Sequence, residues 1–88
     1  MTDDGQLEQL REQISENDRA ILEAINRRLE LVARIKRYKE SQGIEFVDPD
    51  REARLLEDLR RANRGPLSDE GLRRILADLL DLSKRETA

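Results

Sequence analysis

Four charged side chains fall where this chain should carry an apolar seam. The three-four alternation of a helix, followed from Leu7, gives Leu7, Arg11, Ile14, Asp18, Ile21, Ile25, Arg28, Val32, Ile35 and Lys39. Six of these are aliphatic, while Arg11, Arg28 and Lys39 bring cations and Asp18 an anion. A solvated face does not account for them, because Glu8, Glu12, Glu16, Glu23, Glu30 and Arg37 already supply one. Burying unpaired charge costs on the order of several kcal/mol per ion, so such residues need partners. Arg11, Arg28 and Lys39 together point to an anionic guest, and a guest with two carboxylates would fit them.

The later segments repeat the pattern. Glu52 heads an apolar row that continues through Leu55 or Leu56 to Leu59, with Arg51 beside it. A third row runs Leu72, Ile75 or Leu76, Leu79 and Ser83, with Glu86 and Thr87 one turn further on. Singly, each polar residue has a plain structural reading. Arg11 snorkels from a seam, Asp18 pairs with a neighbouring Arg and sets register, and Lys39 complements a helix C-terminus. Ser83 is a small residue at a helix contact, and Asp48 is an N-cap. The spacing Asp48-Asp50-Glu52 is too weak for a metal site, so no metal is expected. The concentration of charge on inward faces is what outweighs these readings.

Composition narrows the chemistry. With no Cys and no His, thiol nucleophiles, imidazole bases and the usual zinc and haem ligand sets are absent. A net charge of −3 is wrong for a protein that grips nucleic acid through its phosphates. The acidic opening Met1-Thr2-Asp3-Asp4-Gly5 is expected to be neither a signal nor a transit peptide. No apolar run approaches the roughly 18 residues of a membrane span. A cytoplasmic protein with no membrane or nucleic-acid partner is expected, working through Arg, Lys, Asp, Glu, Ser, Thr and backbone groups.

The elements that must position these groups are helices. Charged residues are 42% of the chain and aromatics 2%, but Leu, Ile, Val and Phe make up about a quarter of it, above the roughly 20% below which chains stay disordered. Pro and Gly punctuate only a few places. The spacing predicts an all-α single domain over residues 1–88, with helices over about 6–42, 49–62 and 68–86. Gly43 is a C-cap candidate, Asp48-Pro49 an N-cap followed by Pro at the first helical position, and Ser68 the cap of the third helix. The segment 43–47 reads as an extended connector, and Asn63-Arg64-Gly65-Pro66 as a break. The first helix is about twice as long as the third and longer still against the second, so neither alone can cover its stripe. An intertwined homodimer, with long helices packed on each other, is the expected solution.

The ordered set Leu10-Arg11-x-x-Ile14, Asp18, Arg28, Lys39, Asp48-x-x-Arg51-Glu52 and Ser83, nine residues after Arg74, resembles the all-helical class of chorismate mutases. The resemblance spans about Leu7 to Ser83. It implies an intertwined homodimer that converts chorismate to prephenate on the shikimate route to phenylalanine and tyrosine, without a cofactor. By the same resemblance, Arg28 clamps the side-chain carboxylate and Arg11 reaches in from the other subunit. Lys39 bonds the ether oxygen and a carboxylate. Glu52 and the backbone near Asp48 take the ring hydroxyl, and Arg51 and Ser83 the ring carboxylate. Val32, Ile35, Leu55 and Leu80 form apolar walls.

The chain departs from the family pattern at one place. Four residues after the Ser the family carries Gln or Glu toward the ether oxygen; here that residue is Thr87, which is shorter, and the adjacent Glu86 is read as a bystander. Three other functions stay open. The same fold can rearrange 4-amino-4-deoxychorismate, or eliminate pyruvate from isochorismate, or serve as a non-enzymatic helical dimer whose seam charges fix register. Docking to another shikimate-pathway enzyme is a further expectation from the resemblance.

Overall fold

A computed structural model of the chain describes residues 3–88. It holds three helices, α1 (Asp3–Gln42), α2 (Pro49–Ala62) and α3 (Asp69–Glu86), and no strand among the described residues. The order and the short lengths of α2 and α3 follow the sequence reading. The start of α1 does not: the helix begins about three residues earlier and runs through Gly5. An interior glycine costs about 1 kcal/mol relative to Ala. A Cβ on Gly5 would meet nothing within 4 Å, so no packing demand selects glycine there.

Local chemistry explains each remaining boundary. Gly43 adopts φ +69°, the left-handed conformation that ends helices. Its N–H donates to the Glu40 carbonyl at 3.3 Å, and the Ile44 N–H to the Lys39 carbonyl at 2.8 Å. This is the paired 6→1 and 5→2 closure of a Schellman motif, and it fixes the turn that carries Lys39. At α2, Asp48 Oδ1 accepts from the Arg51 N–H at 3.1 Å and Pro49 occupies the first turn. At α3, Ser68 Oγ accepts from the Gly71 N–H at 3.0 Å. A Cβ on Gly71 would lie 2.8 Å from Leu67 Cδ1 and 3.2 Å from that capping oxygen, so the close first turn favours glycine.

Helix α3 packs against both α1 and α2. The chain is elongated, 64 × 24 × 17 Å, because α1 runs far beyond its partners. Among the described residues, the buried side chains are Leu76 and Ser83, each 4% exposed. Leu76 rather than Ile75 therefore faces the α1–α2–α3 junction. The first half of the α1 seam is bare: Leu7, Leu10, Ile14, Ile21 and Leu22 are all exposed, as are Arg11 and Asp18. No helix among the described residues is long and apolar enough to cross a membrane.

Candidate active site

Arg28, Val32, Ile35 and Lys39 recur at intervals of four, three and four residues, which places them on one face of α1. That face packs on α3 and looks across an open cavity toward the start of α2. Together the three helices and the 43–47 connector line that cavity, which holds about 170 Å³. From α1 come Arg28, Val32, Ile35 and Lys39, and from the connector and α2 come Phe46, Val47, Asp48, Arg51, Glu52 and Leu55. The end of α3 contributes Leu80, Ser83 and Lys84. Larger grooves exist, but two are lined by side chains of α1 alone and a third lies between Ile25 and the outer face of α3; none of them gathers side chains from all three helices.

The cavity is apolar-walled and cationic. Arg28, Lys39, Arg51 and Lys84 face Asp48 and Glu52, which leaves two net positive charges. A small molecule with two carboxylates would balance them. Arg28 Nη1 donates to Ser83 Oγ, which ties α1 to α3 across the cavity floor. Ser83 in turn donates its single hydroxyl proton to the Leu79 carbonyl at 2.7 Å. Lys39 Nζ donates to the Phe46 carbonyl at 3.2 Å, pulling the connector over the site. Lys84 Nζ stands 3.5 Å from Glu52 Oε2 and links α3 to α2. Lys36 lies just outside the lining, 5.6 Å above the Phe46 ring. There it steadies the same connector by a cation–π contact.

Ten of the residues expected at a site are thus brought to one cavity. Arg11 and Thr87 are not. Arg11 lies 17 residues before Arg28 on the same rigid helix, about 25 Å away at 1.5 Å per residue, so a chain cannot deliver its own Arg11 to its own cavity. Thr87 is half-buried and turned to the helix end. Its Oγ1 donates to the Ser83 carbonyl at 2.6 Å, and its own carbonyl accepts from Lys36 Nζ at 2.8 Å. Phe46, Val47 and Lys84 line the cavity although the sequence pattern did not single them out. Lys84 could have been found from its place beside Ser83. Phe46 and Val47 carried no periodic signal, because they lie in a connector.

With the cavity's geometry established, comparison with known proteins is decisive on the family. Residues 10–88 match the family model described as chorismate mutase type II. The chain belongs to the chorismate mutase type II family. The matched span contains every candidate site residue from Arg11 to Thr87. The chain is 32% identical over 85 residues to a bifunctional chorismate mutase/prephenate dehydratase of Pseudomonas aeruginosa, an alignment covering 91% of this chain and 23% of that protein. It is 35% identical over 51 residues to a 4-amino-4-deoxychorismate mutase of Streptomyces venezuelae, covering 58% of this chain and 50% of that one. The chain thus spans about a quarter of the Pseudomonas relative's length and half of the Streptomyces relative's.

Proposed function

We propose that this chain isomerises chorismate to prephenate. The observation that carries the reading is the meeting of Arg28, Lys39 and Arg51 in one apolar-walled cavity whose net charge is two positive. Chorismate is a dicarboxylate, and its rearrangement is intramolecular: one C–O bond breaks, one C–C bond forms, and no proton or electron leaves. The protein has to select a conformer and stabilise charge. Arg28 binds the side-chain carboxylate and holds the enolpyruvyl arm over the ring, so that a rare reactive geometry becomes the bound one. C–O cleavage runs ahead of C–C formation and builds negative charge on the ether oxygen. Lys39, fixed by the Schellman turn and the Phe46 carbonyl, stabilises that charge more than the ground state.

Glu52, beside the α2 N-terminus, accepts from the ring hydroxyl, and Arg51 takes the ring carboxylate. Ser83 acts first on Arg28, since its proton is already given to Leu79; it reaches the ring carboxylate only by turning from that carbonyl. Val32, Ile35, Leu55 and Leu80 form the walls. Thr87 caps α3 and leaves the ether oxygen to Lys39.

The site is completed by a second copy of the chain. The exposed seam from Leu7 to Leu22 calls for cover of matching length, and an antiparallel copy of α1 carries Arg11 to the partner's cavity. A second reading, the same rearrangement on 4-amino-4-deoxychorismate, draws support from the similarity to the Streptomyces enzyme. Mixing the purified chain with either compound and identifying the product chromatographically tests both. Prephenate formed well above the uncatalysed background supports the first reading; turnover of the amino compound alone supports the second.

A further inference from the structure

We propose that Lys84 sets which ring substituent the cavity accepts: by pairing with Glu52 it makes that end of the cavity a site for a neutral hydroxyl and disfavours an ammonium group. The inference rests on the reading of Glu52 as the partner of the ring substituent. Lys84 Nζ lies 3.5 Å from Glu52 Oε2, and both side chains line the cavity.

A carboxylate alone at that position would favour an ammonium over a hydroxyl, because a charge-assisted hydrogen bond is about twice as strong as a neutral one. Lys84 reverses the preference in two ways. An ammonium bound to Glu52 would sit within a few ångströms of a second cation, whereas a hydroxyl would not. The ionised carboxylate still has lone pairs free beside the one that meets Lys84, so a hydroxyl can donate to it.

The charge of the whole cavity points the same way. The lining from one chain carries two net positive charges, and the proposed Arg11 of a second copy adds a third, so a dicarboxylate bearing a hydroxyl leaves one in excess. The amino analogue carries one positive charge of its own and leaves a larger excess. Without Lys84 each excess falls by one, and the penalty on the amine falls with it. Both side chains are partly open to solvent, 43% for Lys84 and 31% for Glu52. Screening therefore limits the preference to about fivefold at most.

The test is competition between chorismate and 4-amino-4-deoxychorismate on the full chain, comparing the native protein with Lys84→Gln and Lys84→Arg. Mixtures of the two compounds give kcat/KM for chorismate and the constant with which the amine competes. Lys84→Gln is expected to shift the preference toward the amine by about twofold to fivefold, and Lys84→Arg to retain the native preference. A purely structural role for Lys84 would lower both affinities together and leave their ratio alone. Chorismate turnover with an unchanged ratio in Lys84→Gln overturns this inference and spares the functional reading. Absence of chorismate turnover by the native chain overturns the functional reading itself, and this inference with it.

Discussion

Arg28 of α1 and Ser83 of α3, 55 residues apart in sequence, are joined by a hydrogen bond from guanidinium Nη1 to hydroxyl oxygen. Ser83 is one of two buried side chains among the described residues, and its own proton goes to Leu79. A small polar residue at a helix contact thus fixes the direction of the cation proposed to grip a carboxylate.

Ser83→Ala should leave Arg28 without its anchor while preserving the helix. The expected loss is about tenfold in kcat/KM, expressed mainly in KM, with stability lowered by about 1–2 kcal/mol for the two part-buried hydrogen bonds it makes. Steady-state kinetics beside a thermal melt check both. Native kinetics would show that Arg28 is held by other means.

The bare seam of α1 predicts an oligomer. Sedimentation should give about twice the chain mass of 10.3 kDa, and replacing Ile14 and Ile21 together by Glu should dissociate it. A native mass near that of one chain would contradict this arrangement.

Shared sites can also be tested by complementation. Arg11→Ala and Lys39→Ala should each be impaired alone. Unfolded and refolded together, they form mixed dimers in which one of two sites has a native Arg11 and a native Lys39. Recovery to about a quarter of native activity is expected from the two-fold symmetry. No recovery would place Arg11 outside the site.

The surface of α2 carries a pH signature. Hydrogen bonding from Arg60, at 2.8 and 3.0 Å, holds the Glu57 carboxyl down from its ordinary 4.5 to about 2, with Arg61 assisting. The folded value is the lower one, so the contribution to stability is fully present above pH 4.5 and fades as pH falls toward 2. Carboxyl-carbon NMR should show Glu57 titrating last among the glutamates. Glu57→Gln should remove this part of the acid limb, and the effect is small because the pair is open to solvent.

Much of this structure is legible in the sequence where the cause is local. Asp48-Pro49, Ser68 and Gly43 mark helix ends by chemistry that acts within four residues, and the structure places each cap as expected. The displaced cations Arg28 and Lys39 betray the cavity, because a cation on an apolar stripe is costly unless an anion comes to meet it. What escaped depends on distant packing. The choice of Leu76 over Ile75 is made by how α3 meets α1, and Phe46 enters the site because Lys39 and Lys36 draw the connector inward. Thr87 holds the position where the resemblance places a site residue, four after Ser83, and its hydroxyl bonds the Ser83 carbonyl outside the cavity lining. The early start of α1 had no apolar periodicity to reveal it.

In the proposed mechanism a fixed cation, Lys39, drives the rearrangement. The measurement that bears on it most closely is kcat for chorismate with native protein and Lys39→Ala, each verified as folded by circular dichroism. Prephenate is the expected product, with a fall of about 100-fold or more in the variant, the scale seen when a preorganised donor is removed. Turnover by Lys39→Ala within a few fold of native would contradict that role.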